Sequence, residues 1–264
     1  MAGARRLVRG LRQLGEVRAP ASVQANIKEQ LDLTPDEYFS IQTPLGPVWV
    51  AFNDHGVSAV TQKASAGEFQ AFVASVAGRP AVPAPEPPPQ LVRALARRLS
   101  GDTSSQLRFD LRGLGQFERA VLLKAMEIPH GEVRPYAWIA REIGHPRAVR
   151  AVGTALARNP IPVFIPCHRV VRSDGRIGNY GLGGRQAKLA ILAAEGVDAE
   201  MLERLAQRGV RYLGSDTTRI FCFPTCRHAR RVSERHMVRF GSTLQAHLAG
   251  YRPCKVCRPA DVAA

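Results

Sequence analysis

The stretch YAWIAREIGHPRAVRAVGTALAR, residues 136–158, decides the fold class of the second half of this 264-residue chain. Apolar residues recur at helical spacing in Tyr136–Ile143 and again in Arg147–Arg158, and Gly144-His145-Pro146 separates the two segments. A short helix, a glycine-containing turn and a second helix form the helix-turn-helix pattern of DNA-binding proteins. A helical hairpin that only packs into a core fits the pattern nearly as well.

The predicted second helix combines basic and small side chains. It carries Arg147, Arg150 and Arg158, together with the small residues Ala148 and Gly153. Small residues allow a helix backbone to approach a groove, and arginines contact phosphates or base edges. These side chains favour the DNA-reading interpretation.

The charge balance points to a polyanionic partner. The formal net charge is +15 and the sequence pI is about 10.6, so nucleic acid is the first candidate and an anionic membrane the second. No apolar run reaches the roughly 18–20 residues that span a bilayer, and the arginine-rich N-terminus lacks the apolar region of a secretory signal. We therefore expect a cytoplasmic protein, associated with the nucleoid if the source is prokaryotic, that binds DNA and no membrane.

The remaining pattern predicts an α/β (α+β) protein. Tyr38–Val60 alternates as a hairpin, and the Pro80–Pro89 run is interpreted as a stiff loop. Val197–Arg208 is interpreted as a linker. The other expected elements are helices at Glu68–Val76, Leu91–Leu99, Phe117–Met126 and Lys188–Ala194, and a short strand at Leu107–Leu111.

A cysteine and a histidine are adjacent in the run Ile165-Pro166-Cys167-His168-Arg169-Val170-Val171. A thiol of ordinary pKa is mostly protonated at neutral pH, so a nucleophilic Cys167 needs a base such as His168. Glu195, at the end of the following helix, is the candidate to orient that histidine. Neighbours on a strand point to opposite faces, so direct contact between Cys167 and His168 requires a non-strand turn. On the dipeptide alone, a Cys167 that is simply a small buried apolar residue remains the better interpretation.

Four further cysteines form two close pairs, Cys222-x3-Cys226 and Cys254-x2-Cys257. This spacing predicts one tetrahedral zinc site, which would stabilise a domain too small for a large core. Nearby histidines, His228 and His236, are alternative ligands. No organic cofactor is indicated.

Residues 117–196 resemble the catalytic half of the O6-alkylguanine-DNA alkyltransferases. The resemblance rests on Arg150-Ala151-Val152-Gly153, Asn159-Pro160, the Cys167 run, Gly178-Asn179-Tyr180 and Glu195-Gly196, in this order. Residues 38–110 resemble the N-terminal half of the family more loosely. The resemblance implies irreversible transfer of the O6-alkyl group of guanine, and possible transfer from O4-alkylthymine, in double-stranded DNA to Cys167.

The resemblance also implies a role for each motif residue. Cys167 is the acceptor, His168 the base acting through a water, Glu195 its orienting partner, and Asn159 the support of the cysteine turn. For DNA, the resemblance implies that Tyr136 rotates the damaged nucleotide out of the duplex and that Arg150 takes its place in the base stack. It also implies that Arg147 and Ala148 contact DNA from the second helix. Gly178 and Tyr180 are implied to form part of the wall of the base pocket.

The C-terminal motifs resemble the zinc domain of Ada-type adaptive-response proteins. They are Thr217–Cys222, Pro224–Arg227 and Tyr251–Pro259. This resemblance implies that Cys222 accepts a methyl from DNA methylphosphotriesters, that Cys226, Cys254 and Cys257 hold zinc with it, and that DNA contacts come from Thr218, Arg230 and Arg231. Phe223 stands where such proteins usually carry arginine.

The expected layout is a flexible basic arm (1–37), a sheet domain (38–110), a helix-turn-helix catalytic domain (111–199) and a zinc domain (203–262). Two alternatives to a single-turnover, monomeric repair methyltransferase remain. A non-catalytic sensor would bind alkylated DNA without accepting a methyl. A zinc-containing regulator would bind undamaged DNA with sequence specificity.

Overall fold

The structure is a computed structural model that describes residues 34–259 except 64, 103, 105 and 106. Most of the basic arm therefore lies outside the described residues. The last two residues assigned to it, Asp36 and Glu37, belong to the first strand. Within the described part, no helix is long and apolar enough to cross a bilayer.

The described residues contain ten strands and eight α-helices, numbered here in chain order. The strands are β1 (Asp36–Thr43), β2 (Gly46–Asn53), β3 (Gly56–Thr61), β4 (Ala81–Pro83), β5 (Arg134–Pro135), β6 (Val170–Val171), β7 (Tyr212–Ser215), β8 (Ile220–Cys222), β9 (Met237–Phe240) and β10 (Arg252–Pro253). The helices are α1 (Ala66–Ala77), α2 (Pro89–Leu99), α3 (Gln116–Met126), α4 (Tyr136–Glu142), α5 (Val149–Ala157), α6 (Gly184–Ala194), α7 (Ala199–Gln207) and α8 (Thr243–Leu248).

The N-terminal sheet has the strand order β3-β2-β1-β4. The predicted hairpin is confirmed, because β1, β2 and β3 pair antiparallel through turns after Thr43 and Asn53. The stiff-loop prediction for Pro80–Pro89 was wrong for its first part. Ala81–Pro83 forms β4, parallel to β1 at the sheet edge, where a missing proline N–H costs no ladder hydrogen bond.

Gly56 allows the segment around Arg108 and Phe109 to lie against this sheet. Its φ is +131°, and a side chain there would collide with the backbone of Arg108 and Phe109. This close approach allows an isolated parallel bridge between Val57 and Phe109. The predicted strand at Leu107–Leu111 is reduced to that bridge.

The helix-turn-helix prediction is confirmed in α4 and α5. Gly144, at φ +80°, forms the turn between them because a left-handed residue ends α4 without a Cβ penalty. Gly153 of α5 faces the ring of Tyr136, and a methyl group there would make only ordinary van der Waals contact with the ring. The outer surface of α5 is left to its arginines.

The C-terminal sheet has the order β10-β8-β7-β9. The linker prediction for Val197–Arg208 was wrong, because Ala199–Gln207 forms α7. Asp198 caps this helix by accepting a hydrogen bond from the Met201 N–H, and Leu202 is buried against the preceding helical domain. The connection between the second and third domains is thus structured and packed.

One large apolar core runs through the molecule. It includes Val50 of the N-terminal sheet, Ile139 of α4, Phe164 before the cysteine, and Phe221 beside the four-cysteine cluster. The C-terminal domain therefore packs directly on the helical domain.

Candidate active site and metal centre

The segment before Cys167 is fully buried and held by one amide. Asn159 Nδ2 donates to the Ile165 carbonyl at 3.0 Å and to Cys167 Sγ at 3.1 Å, and Asn159 Oδ1 accepts from the Ile161 N–H at 3.0 Å. Val163 within this loop adopts φ +75°, an unfavourable conformation for a β-branched residue. Such local strain is found preferentially at functional sites because the surrounding structure must maintain it.

Cys167, His168 and Arg169 form one turn of 3-10 helix, which is the non-strand turn that the sequence required. His168 is fully buried, and its Nε2 lies 2.8 Å from Glu195 Oε1. Because a charged carboxylate only accepts, Nε2 carries the proton of a neutral imidazole. Nδ1, the basic nitrogen, is buried without a hydrogen-bond partner among the residues that the structure describes.

Glu195 is the anion at the centre of this network. It accepts from Arg169 Nε at 2.8 Å and from Arg169 Nη2 at 2.8 Å, and the Gly131 N–H lies 3.3 Å from its Oε2. Although burial raises it, hydrogen bonds from His168 and Arg169 lower the pKa of Glu195 to about 2. Burial lowers the pKa of His168, against the opposing effect of Glu195, so the imidazole is held neutral and its Nδ1 is available as a proton acceptor.

Lys188, on α6, is a residue that the sequence analysis missed. It is completely buried, donates to the Val170 carbonyl at 2.6 Å and contacts the Asn179 carbonyl at 3.3 Å. Burial lowers the pKa of Lys188 to about 8. Burial raises the pKa of the Cys167 thiol, while the Asn159 hydrogen bond and the Lys188 charge act in the opposite direction. The signal that could have found it is helical periodicity, which places Lys188 on the apolar face of α6. Lysine is rarely fully buried, so a lysine on that face is unusual.

The two tyrosines of the sequence prediction lie near the thiol. Tyr136 begins α4, and burial together with the Cys167 charge raises its pKa. Tyr180 is buried with its ring centroid 6.0 Å from that of His168, and burial raises its pKa well above 10. Gly178 has φ +71°, which lets the loop turn before Tyr180.

The side chains predicted to contact DNA from the second helix lie at or near the surface. Arg147 and Arg150 are exposed, and Ala148 is half-buried at the start of α5. Arg158, at the other end, lies 3.9 Å from Glu118. Arg147 and Arg150 are therefore accessible to a polyanion at the start of α5.

The four late cysteines form one compact, buried cluster. The sulfur atoms of Cys222, Cys226, Cys254 and Cys257 all lie within 4.8 Å of one another. In tetrahedral zinc with Zn–S bonds near 2.3 Å, sulfurs are about 3.8 Å apart, so this donor set fits zinc. The histidine alternatives are outside the cluster: His228 is exposed, and His236 Nδ1 lies 3.0 Å from Asp216.

A cavity of about 510 Å³ opens beside Cys222. Cys254 also reaches it, whereas Cys226 and Cys257 do not line it. The polar and basic side chains of the cavity are those of Ser215, Thr217, Thr218, His228, Arg231, Ser233, His236, Arg252 and Lys255. Arg230 is placed elsewhere, near Gly131 and against α7. The surroundings of Cys222 are therefore suited to an anion.

Two family models match the chain. Residues 116–197 match the 6-O-methylguanine DNA methyltransferase, DNA binding domain, and residues 203–260 match the metal binding domain of Ada. The methylated-DNA–protein-cysteine methyltransferase of Methanosarcina barkeri is 37% identical over 55% of this chain and 89% of its own length. The rat protein of the same name is 45% identical, but the match spans only 46% of its length and 38% of this chain.

A crystal structure of Mycobacterium tuberculosis OGT in complex with DNA matches with a TM-score of 0.51 at 30% identity, covering 63% of this chain and 99% of that chain. The helix-turn-helix, the buried cysteine and the histidine–glutamate pair behind it define the class of cysteine-dependent DNA alkyltransferases. The chain belongs to the methylated-DNA–protein-cysteine methyltransferase family and carries an Ada-type metal-binding domain.

Proposed function

We propose that this protein repairs DNA by moving the O6-alkyl group of guanine irreversibly onto Cys167, once per molecule. The observation that carries the proposal is the Asn159–Cys167–His168–Glu195 arrangement behind a basic helix-turn-helix. In that step the Cys167 sulfur forms a bond to the alkyl carbon as the carbon–O6 bond breaks. The electron pair stays with the guanine oxygen, and the base is restored.

The proton path follows from the free nitrogen of His168. His168 Nδ1 takes the thiol proton through a water, and Glu195 stabilises the imidazolium that forms. Lys188 opposes the unfavourable burial of the thiolate. Tyr136, at the start of α4 within electrostatic range of Cys167, donates its phenol proton to the departing purine, and the proton held by the His168 imidazolium replaces it through solvent. The neutral, soft alkyl carbon offers no charge to bind, so correct positioning of a strong nucleophile supplies most of the rate.

For DNA we propose minor-groove docking of α5, with the damaged nucleotide turned out of the stack. Arg150 takes its place, Arg147 and Ala148 contact the backbone, and Gly178 and Tyr180 line the base site. The domain limits proposed are 38–110, 111–199 and 203–262. The protein would act as a monomer in the cytoplasm, associated with the nucleoid in a prokaryote.

Zinc retention and a second acceptor are proposed for the C-terminal domain. Bound zinc would keep the sulfurs of Cys222, Cys226, Cys254 and Cys257 deprotonated at neutral pH. Cys222 opens onto the basic cavity, where Thr218 and Arg231 would hold a DNA phosphate. A methylphosphotriester would transfer its methyl to the Cys222 sulfur, and a phosphodiester anion would leave. The cavity that combines Cys222 with cationic side chains supports this activity.

The deciding experiment is mass spectrometry of the zinc-loaded protein after incubation with a duplex containing O6-methylguanine. We expect one added methyl on Cys167, restored guanine in the DNA, and neither change in Cys167→Ala. Tight binding without methyl transfer would favour the sensor. Preference for a particular undamaged sequence would favour the regulator. Methylphosphotriester DNA tests Cys222 in the same way, with Thr218→Val and Arg231→Gln expected to slow only that transfer.

A further inference from the structure

The loops that carry the zinc ligands also form the surface that contacts the alkyltransferase. These knuckle loops are residues 222–227 and 254–258. Thr225, between two of the ligands, accepts a hydrogen bond from the Val133 N–H at 2.9 Å and lies 3.4 Å from the Val133 carbonyl. Both residues are buried, so this backbone contact is shielded from water.

A second contact joins the other knuckle loop to the first helix of the helix-turn-helix. Trp138 Nε1 donates to the carbonyl of the ligand Cys257 at 3.0 Å. The guanidinium of Arg258 lies 5.6 Å from the Trp138 ring and 2.8 Å from Glu142. Arg141 closes this contact by donating to the Arg258 carbonyl at 2.6 Å.

A buried ion pair lies between these two contacts. Glu132 and Arg134 pair with each other, and Glu132 Oε1 accepts from the Arg227 N–H at 2.9 Å. Arg134 lies 5.3 Å from the ring of Phe223 and 6.0 Å from that of Trp138. A buried ion pair needs such additional partners, because its desolvation is costly. The first knuckle loop therefore offsets part of the desolvation of this pair, through the Arg227 N–H and the Phe223 ring.

The segment held in this way, residues 132–138, pairs with the strand that follows the reactive cysteine. Arg134 and Pro135 pair as β5 with Val170 and Val171 of β6, immediately after the 3-10 turn that carries Cys167. The next residue, Tyr136, begins α4. Displacement of this short segment would therefore move both the support of the cysteine turn and the first residue of the DNA-binding unit.

We infer that the zinc cluster positions the guanine-repair site, with Thr225 and Trp138 as the positioning residues that couple the two. The inference rests on the proposed transfer to Cys167 and adds a regulation that transfer alone does not require. Zinc stabilises the knuckle loops, the loops hold residues 132–138, and this segment fixes the cysteine turn. The hydrogen bonds of Thr225 to Val133 and of Trp138 to Cys257 are called here the bridge. Coupling of this kind is reciprocal, so disrupting the bridge also weakens zinc retention.

The test uses the full chain with and without zinc, the metal being removed by a chelator. Single-turnover transfer from O6-methylguanine DNA and hydrogen exchange of residues 131–138 are measured in each state. The bridge variant combines Thr225→Val, which removes the hydroxyl and keeps the side-chain volume, with Trp138→Phe, which removes the indole N–H together with part of the ring. The matched control is Thr243→Val, because Thr243 is also buried in the C-terminal domain but its hydroxyl has no partner within the described residues.

In the wild-type protein, we expect zinc removal to slow transfer by about tenfold, within the range of coupled sites, and to speed exchange at 131–138. Exchange in β2 and β3 of the N-terminal sheet should not change. With zinc bound, the bridge variant should transfer the methyl group more slowly than the wild type. Zinc removal should slow its transfer less than about twofold, and it should release zinc faster. Thr243→Val should keep the wild-type ratio of transfer rates with and without zinc, because loss of stability alone does not remove the zinc dependence.

Two results would overturn the inference: unchanged transfer and exchange in zinc-free wild-type protein, or a bridge variant with the wild-type zinc dependence. Failure of the proposed repair reaction is distinguishable. It would appear as no methyl on Cys167 in the zinc-loaded wild type, while hydrogen exchange and zinc release would still report on the coupling.

Discussion

Replacing Glu195 by glutamine removes one negative charge from a buried network while conserving side-chain volume. The carboxylate is surrounded by His168 and by the Arg169 guanidinium, and its side chain is 8% exposed. The amide would present a donor to groups that also donate, and Arg169 would keep a buried charge without its anion. We expect both the stability of the fold and the rate of transfer to fall.

The size of the stability loss follows from the pKa of Glu195. A change from the ordinary value of 4.5 to about 2 corresponds to about 3 kcal/mol of stabilisation of the charged form. Removing one partner of a buried ion pair costs about 3–5 kcal/mol, which agrees. Because the folded pKa is depressed, this stabilisation is complete above about pH 4.5 and is lost as the pH falls towards 2.

Chemical denaturation at pH 7 measures this difference directly, and thermal unfolding should show a Tm lower by about 6–12 °C. The matched control is Glu200→Gln, since the Glu200 side chain is 90% exposed and pairs only loosely with Arg204. That change should cost less than about 1 kcal/mol. Transfer by Glu195→Gln should slow about 100-fold, because His168 loses its orienting anion.

A loss below about 1 kcal/mol in Glu195→Gln at pH 7 would refute this reasoning. So would a difference between wild type and variant that stays constant from pH 7 down to pH 2, because the argument requires the difference to shrink as Glu195 takes up its proton. The first result would mean that Arg169 finds other partners, and the second that the loss does not come from the charge of Glu195.

Three further outcomes are expected. Lys188→Met should raise the pKa of Cys167, so alkylation by iodoacetamide should need a higher pH than in wild type; an unchanged pH profile would exclude an electrostatic effect of Lys188 on the thiol. Gly56→Ala should lower the free energy of unfolding by at least about 2 kcal/mol, measured by denaturation, because φ +131° and the Arg108 backbone leave no room for a methyl. Zinc removal by a chelator should lower the Tm by at least roughly 10 °C in a thermal melt, and an equal Tm in both states would contradict a folded-state role for the metal.

The sequence predicted the features that depend on local pattern. The helix-turn-helix follows from helical periodicity interrupted at Gly144, and the zinc site follows from cysteine spacing that needs no knowledge of the fold. The hairpin of β1 and β2 follows from alternation with turn residues between. These features depend on residues that are close together in the chain, so they can be predicted from a single sequence.

Features that depend on long-range contact were missed. Lys188 lies on the apolar face of α6 by periodicity, but a lysine there gives no sign of its buried partner, the Val170 carbonyl, until the fold is known. Arg169 looks like part of a basic run, yet it is the buried counter-charge of Glu195. The helix α7 had a usable local signal, since Asp198 precedes an apolar residue repeating at helical spacing, and the linker interpretation overlooked that cap.

The contact between Trp138 and Cys257 has a consequence for how the chain is made. The two residues are 119 positions apart, and the ribosome synthesises Trp138 first. Until Cys257 and Arg258 have been synthesised, the Trp138 ring lacks the carbonyl and the guanidinium that contact it in the folded protein. A chain interrupted shortly before Cys257 would contain every residue of the guanine site and still expose an aromatic surface that favours aggregation.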